Sequence, residues 1–138
     1  VHEIKDTKQA KVRIGYDGRV HKHFRGPVAD KRFANELLVL GYLEEKACPF
    51  VPRVLESEVS DLYMVTTNCG AIVAKISQEK LDSLFAELES YGVRHEDPFA
   101  RNVTYSAKLG RFCIIDFEFA RIIETGEGLD LNEPGVRR

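Results

Sequence analysis

The segment His95-Glu96-Asp97-Pro98-Phe99-Ala100-Arg101-Asn102 places a histidine, two carboxylates, a guanidinium and an amide close together in the chain. A second segment, Ile115-Asp116-Phe117-Glu118, follows it. Carboxylate and amide oxygens suit a hard cation such as magnesium, which keeps several of its waters and needs only one or two protein carboxylates. An aspartate placed beside a hydroxyl can accept or orient its proton. Taken singly, however, aspartates are usually turn or strand-end residues. A metal-dependent hydrolase using His95, Glu96, Asp97 and Asp116 is one reading, but the four show no recognisable ligand spacing. His21 and His23 stand at i, i+2 on one strand face and lack a nearby third ligand, so an exposed face is the better reading of that pair.

Order and spacing carry more. The pattern H-x-D-x-x-x-x-N at 95–102, then a hairpin, then D-F-E at 116–118, resembles the catalytic loop and metal-binding segment of the protein-kinase-like superfamily. The resemblance covers roughly residues 11–120. It implies an ATP- and magnesium-dependent phosphotransferase of minimal or atypical type acting on a hydroxyl acceptor. Lys22 would hold the phosphates and Glu36 would fix that lysine. Asn102 and Asp116 would hold magnesium, and Asp97 would receive the acceptor's proton. Val20 would touch the adenine ring, Thr66 would stand behind it, and backbone groups of Thr67 and Cys69 would meet its edge. Phosphoryl transfer needs mainly positioning and charge stabilisation, so a small scaffold suffices in principle. The alternative the resemblance allows is a nucleotide-binding pseudokinase acting as an interaction module, because fold does not dictate function.

The chain departs from that family at several points. No G-x-G-x-x-G precedes Lys11, and Lys5 to Ala10 occupies its place. A loop without glycine cannot bring backbone N–H groups as close to phosphates, and Lys8 or Lys11 is expected to compensate. Glu96 stands where many regulated kinases have arginine, and it would repel a phosphorylated loop. Phe99 replaces a lysine usual in serine/threonine kinases, with Arg101 as a nearby positive charge. Glu118 replaces the D-F-G glycine. About 20 residues follow Asp116, too few for the family's helical lobe, so the expectation is a naturally minimal protein, a fragment, or a partner that supplies the missing surface.

These residues need elements to hold them. Lys11–Tyr16 and Arg19–Phe24 alternate around Asp17-Gly18, a strong hairpin signal. That hairpin sets Val20, Lys22 and Phe24 on one face. Asp30 is expected to cap a helix running to about Glu45, with Phe33, Leu37 and Leu40 apolar, Leu38 and Leu43 flanking, and Glu36 beside the stripe. Val51–Glu56 and Leu62–Thr66 read as strands. Ser77 caps a helix over Gln78–Tyr91 that Gly92 ends. Asn102–Tyr105 and Arg111–Ile115 form a second hairpin. The order predicts an α+β fold. With the resemblance added, it becomes a small antiparallel-sheet lobe over 1–70, a minimal helical lobe over 71–123 and a loose tail over 124–138, in one structural domain overall. The incomplete lobe is expected to leave Leu84, Phe85 and Leu88 either under the tail or available for self-association or a partner protein.

Composition sets the outer bounds. The formal net charge of −2 gives no basic footprint for nucleic acid. No apolar run suggests a membrane span, and no signal segment opens the chain. Cys48, Cys69 and Cys113 are odd in number and widely spaced, which argues for reduced thiols and an intracellular, cytoplasmic setting.

Overall fold

The computed structural model describes residues 2–136, with side chains from Lys5 onward. Residues 1, 137 and 138 of the expected first and last segments lie outside the described residues. The described residues form an α+β fold, with antiparallel sheets and two α-helices. Five strands form the first sheet: β1 (His2–Asp6), β2 (Ala10–Ile14), β3 (Val20–Phe24), β4 (Val54–Glu58) and β5 (Tyr63–Thr66). Their spatial order is β1-β2-β3-β5-β4. Asp17 tightens the β2–β3 turn by accepting from Arg19 N–H at 2.9 Å.

Helix α1 (Ala29–Glu45) packs on this sheet between β3 and β4 in the chain. Its start differs from expectation. Asp30 is not the cap but lies in the first turn, where its charge suits the helix dipole. The capping position is Val28, in a left-handed conformation and with no side-chain cap. The buried stripe is also rotated from the one expected. It includes Arg32, Asn35 and Glu36 beside Phe33, Val39, Leu40 and Leu43, while Leu38 is exposed. Polar groups are buried only where partners answer them, so this stripe already marks α1 as more than a packing element.

Later in the chain, α2 (Gln78–Ser90) is capped as expected, with Ser77 Oγ accepting from Lys80 N–H at 3.1 Å. Ser77→Ala should therefore lower stability by about 1 kcal/mol, read from a urea melt. The Leu84, Phe85 and Leu88 face is not open. All three are buried within the core, with Phe85 against His95. Intramolecular packing covers this apolar face.

Two small sheets complete the fold. One runs β6 (Ala71–Ile72), β8 (Val103–Ser106), β9 (Arg111–Ile114), in that order. The other pairs β7 (Val93–Arg94) with β10 (Arg121–Ile122). Gly70 lets the chain pass β8, since a Cβ there would lie 1.9 Å from the Tyr105 carbonyl oxygen and its φ is +94°. Gly70→Ala should cost more than about 1 kcal/mol for the positive φ alone, and an unchanged melting curve would contradict this.

The segment from residue 124 is not a loose tail where it is described. Leu129 and Val136 are buried, Lys31 pairs with Glu133 at 2.6 Å, and Tyr42 donates to Glu124 at 2.7 Å. Its glycines and proline shape turns that fold the segment back on α1.

Candidate functional site

Lys22 and Glu36 arrive from different elements. Strand alternation turns Lys22 inward from β3, with Met64 of β5 as its register partner. Helix α1 brings Glu36 to meet it, and Lys22 Nζ donates to Glu36 Oε1 at 2.9 Å. The same ammonium reaches Glu118 Oε2 at 2.8 Å and Asp116 Oδ1 at 3.3 Å. Burial pulls the Lys22 pKa down, but Asp116, Glu118 and Glu36 outweigh it, and the pKa lies well above the ordinary lysine value.

Asp116 follows β9 in a left-handed backbone conformation, φ 69°, an arrangement that costs on the order of 1 kcal/mol outside glycine. Its carboxylate is half-buried. Burial raises its pKa, yet Lys22 and Lys5 more than reverse this and hold it well below the ordinary value. The next amide, Phe117 N–H, donates to Glu36 Oε2 at 2.9 Å. Glu36 therefore ties α1 both to Lys22 and to the Asp116 segment.

Glu118 completes a buried charge cluster. Its other oxygen accepts from Arg32 Nη1 at 2.7 Å. Arg32 is fully buried and also donates to the carbonyls of Pro27, Gln9 and Arg25. Asn35 Nδ2 donates to the carbonyls of Glu118 and Ala120, both at 2.9 Å. Burial raises the Glu118 pKa above the ordinary value; Lys22 opposes this, while Asp116 and Glu36 add to it. Arg32, Asn35 and Glu118 were not assigned roles from sequence. Arg32 stands one helical turn before Glu36, at i−4, so it shares that residue's face; this was the available signal.

The second half of the site is the loop after β7. Asn102 Nδ2 donates to Asp97 Oδ2 at 2.8 Å and to the Asp97 carbonyl at 2.9 Å. Arg101 Nη2 meets Asp97 Oδ1 at 2.6 Å, and its guanidinium lies over the exposed Phe99 ring. Glu96 turns the loop with φ 72°. His95 bridges the two halves: Asp97 N–H donates to Nδ1 at 3.2 Å, and Nε2 lies 2.9 Å from the Ile115 carbonyl. That pairing requires a neutral ring protonated on Nε2.

Burial lowers the His95 pKa, and the Ile115 carbonyl and nearby carboxylates only partly oppose it. The unfolded chain therefore takes up a proton here before the folded one does. Stability from this group is complete above about pH 6.5 and falls as pH drops toward the folded pKa. NMR of the imidazole should find it neutral at pH 6.5 in the folded protein; a ring protonated at or above that pH would contradict this.

The structure brings Lys22, Glu36 and Asp116 into direct contact and links Asp97 and Asn102 to them through His95. Val20 and Thr66 are register partners beside Lys22. Thr67 N–H bonds the Arg53 carbonyl, and the Thr67 carbonyl accepts from Thr66 Oγ1 at 3.1 Å. The Cys69 carbonyl accepts from Thr104 at 2.6 Å. Each carbonyl retains a second lone pair. Lys8 and Lys11 are exposed, and the additional lysine that reaches Asp116 is Lys5, at 3.6 Å. His21 pairs with Asp17 and Tyr63. An apolar depression of about 380 Å³ between α1 and the β4–β5 connection is lined by residues such as Phe33, Leu37 and Val59, and none of the site residues borders it.

Ligand oxygens of Glu36, Asp116 and Glu118 lie within 4.8 Å of one another, close enough to share a cation. The Lys22 ammonium already answers that charge. Among the described residues, no helix is long and apolar enough to cross a membrane. No family model matches the chain, and no curated protein matches it.

Proposed function

We propose that this chain is an ATP- and magnesium-dependent phosphotransferase of the protein-kinase-like type, moving the γ-phosphate to a hydroxyl acceptor. The observation that carries the proposal is the convergence on Lys22: one buried ammonium contacts Glu36 at 2.9 Å and Asp116 at 3.3 Å, from positions far apart in sequence. The sheet order and the helix inserted after β3 support a protein-kinase-like fold with a small antiparallel-sheet lobe. Val20 and Thr66 line the same face as Lys22 and suit the adenine ring. Backbone groups of Thr67 and Cys69 follow on the connecting segment.

The donor chemistry fits magnesium. Asp116 is held ionised and half-exposed. Both hydrogen bonds of the Asn102 amide nitrogen go to Asp97, which leaves the amide oxygen as the ligand atom. When bound, the ion would offset the phosphate charge. Lys22 holds the phosphates once they enter, and Glu36 keeps that lysine in place. Asp97 orients the acceptor hydroxyl and takes its proton at the carboxylate.

A second reading, nucleotide binding without transfer, draws on the state of Asp97. Arg101 and Asn102 each hold one of its carboxylate oxygens. In the transferase reading an incoming hydroxyl shares those oxygens; in the pseudokinase reading the loop stays closed.

Thermal unfolding tests the nucleotide site common to both. Magnesium–ATP at about 100 times its dissociation constant should add roughly 2.7 kcal/mol of stability. Asp116→Asn should reduce the magnesium-dependent part. No shift with any nucleotide would defeat both readings.

A further inference from the structure

The register of the first sheet puts a second lysine on the face of Lys22. Val12 of β2 pairs with Lys22 on one side and with Lys5 on the other. Directly paired residues share a sheet face, so Lys5 and Lys22 stand on one face two strands apart. A bulge makes this happen. The pairing steps from Glu3↔Arg13 to Lys5↔Val12, two residues of β1 against one of β2. In unbroken register Lys5 would oppose Lys11 and face the other way, because a one-residue slip reverses every side chain beyond it.

Both lysines then converge on one carboxylate. Lys22 Nζ lies 3.3 Å from Asp116 Oδ1 and Lys5 Nζ lies 3.6 Å from Oδ2. Lys22 has Glu36 and Glu118 as further counter-ions. Lys5 is the more exposed of the two at the mouth of the site.

The β1–β2 turn meanwhile uses the N–H groups of Thr7, Gln9 and Ala10 internally. Thr7 N–H bonds the Ala10 carbonyl at 2.9 Å, and Thr7 Oγ1 accepts from both Gln9 and Ala10 N–H at 3.2 Å. Amides spent inside a turn cannot cradle a phosphate. With those three amides engaged, a side-chain ammonium is the stronger donor this edge offers to a phosphate.

We infer that Lys5 is a second phosphate-contacting cation of the site, replacing with an ammonium what a glycine-rich turn supplies with backbone amides. This inference rests on the nucleotide reading above. With Asp116 given over to an ion, the Lys5 ammonium would lose its present partner and be available to phosphate oxygens.

Calorimetric titration with magnesium–ATP and with adenosine tests it on the wild type, Lys5→Met and Lys5→Arg. Lys5→Met should weaken ATP binding by about tenfold or more, the worth of one charge-assisted contact. It should leave adenosine affinity unchanged, and Lys5→Arg should keep most of the ATP affinity. If Lys5→Met binds ATP as the wild type does, or loses ATP and adenosine equally, Lys5 is only a structural counter-ion and the inference is overturned. If the wild type binds neither ligand, the nucleotide reading itself fails and this inference falls with it.

Discussion

A Lys22→Met protein is expected to lose about 3–5 kcal/mol of folding stability at neutral pH, the usual cost of removing one partner from a buried ionic cluster. The Lys22 ammonium lies 2.8–3.3 Å from three carboxylates whose ligand oxygens fall within 4.8 Å of one another. Methionine fills the volume but leaves Glu36, Asp116 and Glu118 facing each other with Arg32 and Lys5 as the nearby cations. The sign follows from the direction of the shift. A lysine whose folded pKa is raised stabilises the fold at every pH below its unfolded value, near 10.5, and loses that contribution only as pH rises through the folded pKa. The full loss should therefore appear at pH 7. In the variant, mild acid should restore part of it by protonating a carboxylate, and millimolar magnesium should restore part by occupying the vacated centre. Urea melts at two pH values, with and without the ion, read all three effects. A variant as stable as the wild type at neutral pH would show that the ammonium contributes nothing.

Arg32→Met is expected to be comparably severe, at about 3–5 kcal/mol. Arg32 is fully buried, and its partner Glu118 is nearly so. A surface ion pair of the same 2.7 Å length would contribute about 0–1 kcal/mol. Burial decides the difference, because the carboxylate keeps its desolvation cost with only Lys22 left as a counter-ion. The three backbone carbonyls that Arg32 serves would also lose a donor. A double-mutant cycle with Glu118→Leu separates these contributions. The double variant should be less destabilised than the sum of the single variants by about 1–3 kcal/mol. Simple additivity would mean that Arg32 acts through the carbonyls and not through Glu118.

The pieces legible in the sequence are those whose signal is local or of fixed spacing. Asp17-Gly18 marks the β2–β3 hairpin, Ser77 marks the start of α2, and the 95–102 and 116–118 segments stand out by order alone. Lys22 follows from strand alternation once the hairpin is placed. What stayed hidden depends on tertiary pairing. The two-residue strands β6, β7 and β10 have no periodicity of their own and exist because a partner strand lies beside them. The bulge that turns Lys5 inward leaves no mark in the residue pattern. On α1, hydrophobicity pointed to Leu38, yet the buried stripe takes Arg32, Asn35 and Glu36 because the Glu118 segment supplies their partners. Glycine and proline after residue 124 suggested looseness, but Leu129 and Val136 anchor that stretch.

Under the proposed function, Asp97, held beside Asn102 and tied through His95 to the Asp116 segment, serves phosphate transfer from a nucleotide bound at Lys22. Transfer of labelled γ-phosphate from magnesium–ATP to water, to the protein itself and to added hydroxyl acceptors tests it most directly. The comparison is between the wild type and Asp97→Asn, with ATP affinity measured on both. The wild type should release or transfer label. Asp97→Asn should bind ATP equally well and lose about 10²–10⁴-fold in rate, the usual worth of a positioned base. Equal rates in the two proteins, or no labelled product from a wild type that binds ATP, would contradict the claim.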